Sequence, residues 1–205
     1  MKPPLQPDKY YHIYNHAVSN DNIFRNDGNY HYFLKKYTQY ISPIADTFAY
    51  CLMPNHFHLA IRIKSIEELL TRQGFQTLDG LSFPLTKLTK QISLQFGHLF
   101  NSYAQAFNKQ IERKGSLFEK NFERKLIDSD DYFRELIRYI HLNPVHHGFV
   151  NDLRDWKHSS FESFFSPKST RLMREEVIGW FGDKENFYHA HQKQIDNRMV
   201  LELEF

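Results

Sequence analysis

The sequence predicts an α+β fold, a central antiparallel sheet flanked by helices, followed by a helical C-terminal extension. Two observations lead to it. Three short β-branched and aromatic segments alternate with helix-patterned ones, and two of those strand segments are split by only Pro54 and Asn55, as in a hairpin. After Trp156 the pattern changes to short helical pieces. At 205 residues, with 41% apolar and 24% charged residues, the chain is long enough for one domain and has none of the composition of a disordered tract.

Taken in order, Tyr10–Val18 reads as a first strand, and Asn29–Ile41 as a helix with its apolar stripe on Tyr32, Phe33, Leu34, Tyr37 and Ile41. Thr47–Met53 and His56–Ile63 are the hairpin strands. Ser65–Pro84 is expected to form a short helix and then a glycine-containing loop. From Leu85 to Arg113 the residues Leu88, Ile92, Phe96, Leu99, Tyr103, Phe107 and Ile111 recur every three or four, one stripe of a long helix that Gly115 can end. Leu117–Ile127 reads as a loop with a short strand. Ser129 is an N-cap candidate, with Asp130 and Asp131 in the first turn, for a helix that Pro144 should stop near Asn143.

Charge does not announce a polyanion partner: 26 Lys and Arg oppose 24 Asp and Glu. Any nucleic-acid function must therefore come from a local site. The lone Cys51 excludes an internal disulfide and a cysteine-built zinc site. With no apolar run longer than Phe48–Met53, the expectation is a cytoplasmic protein without membrane association. The 19 Phe and 12 Tyr imply an aromatic-rich core, with rings to spare for stacking on bases.

His56-Phe57-His58 is the first candidate for chemistry. In a strand the period of two puts both imidazoles on one face and Phe57 on the other, so two nitrogen ligands converge without a loop folding around an ion. With 12 His in 205 positions, roughly 0.7 such triplets arise by chance, and a second pair, His189 and His191, lies in the tail. There a helix is expected, in which positions two apart diverge. The second candidate is Tyr139 with Asn143, four apart on one helical face. Taken alone, Tyr139 is an ordinary core-edge aromatic and Asn143 an ordinary residue before proline.

The string YCLMPNHFHLAI, followed about 75 residues later by FRELIRYIHLNPVHHGFV, resembles the REP-associated tyrosine transposases and, more distantly, the single-tyrosine transposases of bacterial insertion sequences. Both belong to the HUH class, named for two histidines flanking a large hydrophobic residue, here Phe57. YHIYNH, YAQAFN, GSLFEKNFERKLI and DWKHSSF fall in the same order, so the resemblance covers about residues 8–166 and leaves 167–205 as the extension. It implies an HUH fold, ferredoxin- or RRM-like, with the histidine pair on an inner strand facing the helix of the nucleophile.

Residue by residue, the resemblance makes His56, His58 and Asn143 the metal ligands and Tyr139 the nucleophile, with Tyr132 and Tyr103 as rivals. It implies magnesium or manganese, although ligand softness alone would allow zinc. The implied reaction is transesterification of single-stranded or hairpin DNA through a 5′-phosphotyrosine; insertion-sequence relatives work as dimers and REP-associated ones as monomers, so the oligomeric state is left open with a lean to the monomer. Lys109, Arg113, Lys114, Lys120, Arg124, Lys125 and Arg138 are the candidate phosphate contacts, together with Lys87, Lys90 and Arg134. The chain departs from the family at His16, where arginine is common, and at Asn121 and Glu123, where basic residues are usual; both changes weaken expected phosphate contacts. His16 could instead be an added ligand or a plain strand histidine. The competing functions are a non-catalytic DNA or RNA hairpin binder and a metal hydrolase that uses water.

Overall fold

The computed structural model describes residues 2–19, 21–71, 84–193, 195, 200 and 203. Its strands are β1 (Tyr10–His16), β2 (Ala45–Met53), β3 (His56–Ile63) and β4 (Glu123–Ile127). They form one antiparallel sheet in the order β2-β3-β1-β4. This is the strand order of a ferredoxin-like sheet. The helices are α1 (Asp27–Tyr40), α2 (Ile66–Leu70), α3 (Leu85–Gln110), α4 (Asp130–His146), α5 (Arg174–Phe181) and α6 (Lys184–His191). The expected glycine-containing loop, with Gly74 and Gly80, lies outside the described residues.

Strand alternation divides the apolar residues into two cores. Tyr11 and Ile13 of β1 and Phe57, Leu59 and Ile61 of β3 point to one side, where α1 brings Phe33 and Tyr37 and α3 brings Ile92, Phe96 and Tyr103. Phe48, Cys51, Met53 and Ala60 point to the other and meet Phe133, Leu136, Ile137 and Ile140 of α4. Val177 of α5 and Phe187 of α6 belong to that second core, so the C-terminal extension packs into the sheet domain's own interior. Among the described residues, no helix is long and apolar enough to cross a membrane.

Helix ends depart from expectation for identifiable reasons. α1 starts at Asp27, two residues early, because Asn26 caps it: its side-chain oxygen accepts from the Asn29 N–H at 3.1 Å. α3 stops at Gln110, before Gly115. Glu112 takes the left-handed conformation (φ 53°) and the Arg113 N–H closes onto the Asn108 carbonyl at 2.9 Å. α4 runs through Pro144 to His146. The missing N–H removes a single helical bond, and the stop is made instead by Gly148 (φ 69°), with Phe149 N–H to Pro144 O at 2.9 Å and Gly148 N–H to Val145 O at 3.0 Å. β1 ends at His16; beyond it Ala17 makes only an isolated bridge to Phe118.

Candidate active site

Phe57 drives the placement of the histidines. Its ring is fully buried among Phe33, Phe100 and Phe118 on the α1–α3 side, which obliges His56 and His58 to face α4. On α4 the Ser129 cap fixes the first turn, and the apolar residues Leu136, Ile137 and Ile140 dock the helix on the sheet. Tyr139 and Asn143 then come down over the histidine pair. The Tyr139 and His58 rings meet edge to face with centroids 5.3 Å apart, and Asn143 Oδ1 lies 3.2 Å from His56 Nε2.

Each histidine is held from behind. His56 Nδ1 lies 2.8 Å from the Asn55 side-chain oxygen, and His58 Nδ1 lies 2.9 Å from His12 Nε2. His16 sits opposite His56 in the β1–β3 register and stacks on it at 4.9 Å, while Tyr14 sits opposite His58 and stacks at 5.6 Å. His147 adds an edge contact to His56 at 5.0 Å. Burial holds His56 and His12 down to about 3 and His58 well below the ordinary histidine range, so all three rings are neutral near pH 7. Neutral rings are what ligation requires, because only an unprotonated ring nitrogen has a lone pair to give.

The donor set fits a divalent cation. An oxygen acceptor on His56 Nδ1 calls for the proton there, leaving Nε2 as a lone pair that faces the lone pairs of Asn143 Oδ1. Two acceptors at 3.2 Å repel unless a positive centre lies between or beside them, and the buried Asn143 Nδ2 has no hydrogen-bond partner to argue for the reverse orientation. Among the described residues, no three His, Cys, Asp or Glu side chains are arranged to hold a metal together. The set is two imidazoles completed by an amide, which leaves a dication its full charge for an anionic substrate.

The rival phenols separate. Tyr103 lies on the far side of the sheet and donates to the Ile23 carbonyl at 2.6 Å, with burial raising its pKa. Tyr132 is half-buried at the edge of the α4 core, two turns before Tyr139. Tyr14, which the sequence reading passed over, is the phenol nearest in kind: it shares the histidine face, and burial pushes it up to about 12. Its signal was the period of two through His12, Tyr14 and His16. The tail histidines diverge as expected: His191 is buried against His141 (Nε2 to Nδ1, 2.9 Å), whereas His189 is exposed beside Glu185.

The basic residues divide between solvent and the fold. Arg138, a candidate DNA contact, is engaged by the protein itself: the residue is 8% exposed, and its guanidinium pairs with Glu135 and donates to the carbonyls of Ala190 and Lys193 at 2.9 and 2.7 Å. Arg113 is likewise taken up, by Asp21 at 2.7 Å and the carbonyls of Gly115 and Ser116. Lys109, Lys114 and Lys120 are exposed. Arg124 lies over the Phe122 ring and, with Lys120, Asn101, Gln105 and Asn108, lines a groove of about 870 Å³ beside α3. Lys125 is on the site's own face, opposite His12 and 6.0 Å from the Tyr14 ring.

No protein-family model matches the chain. A curated relative from Haemophilus influenzae, named as a REP-associated tyrosine transposase, is 28% identical over 116 residues, which cover 57% of this chain and 58% of the relative. The match therefore spans little more than half the relative's length. Among solved structures, a REP-associated tyrosine transposase bound to a REP hairpin superposes with a TM-score of 0.57 at 14% identity, covering 82% of this chain and 85% of the other. Over the matched stretch in sequence, and over most of its length in fold, the chain is similar to the REP-associated tyrosine transposases.

Proposed function

We propose that the protein is a metal-dependent single-stranded DNA transesterase that cuts and rejoins DNA at hairpin sites, with Tyr139 as nucleophile. One observation carries the reading: a phenol and a neutral donor set, from different elements, converge on one place, with Tyr139 5.3 Å from His58 and Asn143 3.2 Å from His56. Hairpin DNA is proposed as partner because the solved relative holds a REP hairpin.

His56, His58 and Asn143 would hold magnesium or manganese, which when bound neutralises charge on the scissile phosphate and orients it. The chain's own part follows from its geometry. α4 holds the Tyr139 ring edge-on to His58, so little of the phenol's freedom is left to lose on attack. The Tyr139 oxygen forms the new bond to phosphorus and the bond to the 3′ oxygen breaks; the proton shed by the phenol is matched by the one the 3′ oxygen gains. One phosphodiester replaces another, so rejoining needs no ATP. A single chain supplies all four groups, which accords with action as a monomer.

Enclosure favours one second reading. Tyr139 is 1%, His56 3% and His58 2% exposed, as expected of a hairpin-binding protein that performs no chemistry. Incubation with hairpin oligonucleotides carrying single-stranded flanks, in manganese, separates the two. A covalent protein–DNA band is expected, lost in Tyr139→Phe while hairpin binding persists. Binding without a band in the wild type establishes the binder; an undiminished band in the variant removes Tyr139 from the mechanism; free 5′ phosphate without an adduct points to water.

A further inference from the structure

We infer that His12 is a positioning residue that sets the tautomer of His58 and so decides whether that ring can take a metal. The inference rests on the metal reading above and deepens it. His12 and His58 share one proton between His12 Nε2 and His58 Nδ1, 2.9 Å apart. If His58 Nδ1 carries it, His58 Nε2 is a bare lone pair. If His12 Nε2 carries it, His58 has its own proton on Nε2 and cannot ligate. The ring next to it is treated differently: His56 Nδ1 faces an amide oxygen, Asn55 Oδ1, which has no proton to give. His56 is therefore fixed by an obligate acceptor, whereas His58 is fixed by a partner that can serve in either sense.

The surroundings make His12 a dedicated device. It is fully buried, and its other nitrogen, Nδ1, has no hydrogen-bond partner. A core histidine kept for packing alone would leave one polar atom unmatched at a cost an aromatic residue would avoid. On neighbouring elements, Lys125 lies opposite it in β4 and the Tyr139 ring of α4 packs edge-on at 6.1 Å. On its own strand Tyr14 packs at 4.7 Å. With His58 as a ligand, His12 accepts from His58 Nδ1 and carries its own proton on Nδ1. It touches the ligand and the nucleophile, and acts through both.

Side-chain ¹⁵N NMR of the full chain without metal reads the tautomers directly. His58 is expected as the Nδ1–H form and His12 as the Nδ1–H form, and an Nε2–H His58 overturns the inference. Manganese binding by electron paramagnetic resonance gives the second readout. His12→Phe should weaken binding about 10- to 100-fold. His12→Gln, which can present an oxygen near the place of Nε2, should recover most of the loss and serves if the Phe variant fails to fold. Unchanged manganese affinity in a folded His12→Phe, or no better binding in His12→Gln than in His12→Phe, overturns the role of His12. Absence of manganese binding in the wild type sinks the metal site itself, which separates the two failures.

Discussion

Asn143 is the residue on which two physical demands meet, since a helix before proline is disfavoured and yet the amide must hang one turn below Tyr139. The structure satisfies both by carrying α4 through Pro144 and burying Asn143 completely, with its oxygen 3.2 Å from His56 Nε2. Asn143→Ala is therefore expected to lower manganese affinity at least about 10-fold and to abolish the covalent band, while hairpin binding stays near wild type. Calorimetric metal titration beside a gel assay checks it; unchanged manganese affinity would take Asn143 out of the donor set. That His56 and His58 share one face, and Tyr139 and Asn143 another, was legible in the sequence because each pair lies within one element, where a period of two or a spacing of four decides the face; the roles expected of them came from the family resemblance. His12, Tyr14 and Asn55 were not, because what brings them to the site is the β1–β3 register and the hairpin turn, and no spacing within one segment states a register.

Element ends were the least legible part of the fold, and α4 shows why. Pro144 is the loudest stop signal in HLNPVHHG, yet Gly148 makes the stop, because only a left-handed residue lets Phe149 and Gly148 N–H groups close the last turn. Gly148→Ala places a side chain at φ 69° and should cost about 1 kcal/mol of stability, read by urea unfolding, with no loss of metal binding. α6 makes a different prediction. His191 is buried between the Phe187 carbonyl (2.7 Å) and His141, and burial lowers its pKa to about 4. Above pH 6.5 the ring is neutral folded and unfolded, so it contributes nothing to pH dependence. Between pH 6.5 and 4 the unfolded chain takes a proton that the folded chain refuses, and stability falls, by up to about 3 kcal/mol once pH is below 4. His191→Gln should remove about one proton from the slope of unfolding free energy against pH in that window; an unaltered slope would mean that His191 is not buried neutral.

At the scale of the whole molecule, the near-balance of charge hides a sorting of cations that only the fold reveals. Arg113 and Arg138 were indistinguishable from Lys109 and Lys120 in the sequence, since a basic residue on a helix or loop carries no mark of its partner. The fold spends the guanidiniums on itself: planar, many-donor groups can satisfy several carbonyls at once, as Arg138 does at Ala190 and Lys193 and Arg113 does at Gly115 and Ser116. Under the proposed function, the exposed ammonium groups of Lys109, Lys114 and Lys120 are the ones that would meet phosphates. Arg138 also joins the two halves of the second core, because Ala190 and Lys193 belong to the C-terminal segment and Glu135 to α4. Its replacement by Ala removes several charge-assisted hydrogen bonds to part-buried acceptors and should cost roughly 1–3 kcal/mol of stability. The effect on DNA should be of another kind. Each phosphate contact adds about 0.7–0.9 to the slope of log affinity against log salt. Lys120→Ala, at the rim of the α3 groove, is expected to lower the slope of hairpin binding by about that amount and to leave the melting temperature unchanged. Arg138→Ala is expected to lower the melting temperature and, at temperatures where it remains folded, to leave the salt slope as in the wild type. A reduced slope in folded Arg138→Ala, or none in Lys120→Ala, would reverse the assignment of which cations face DNA.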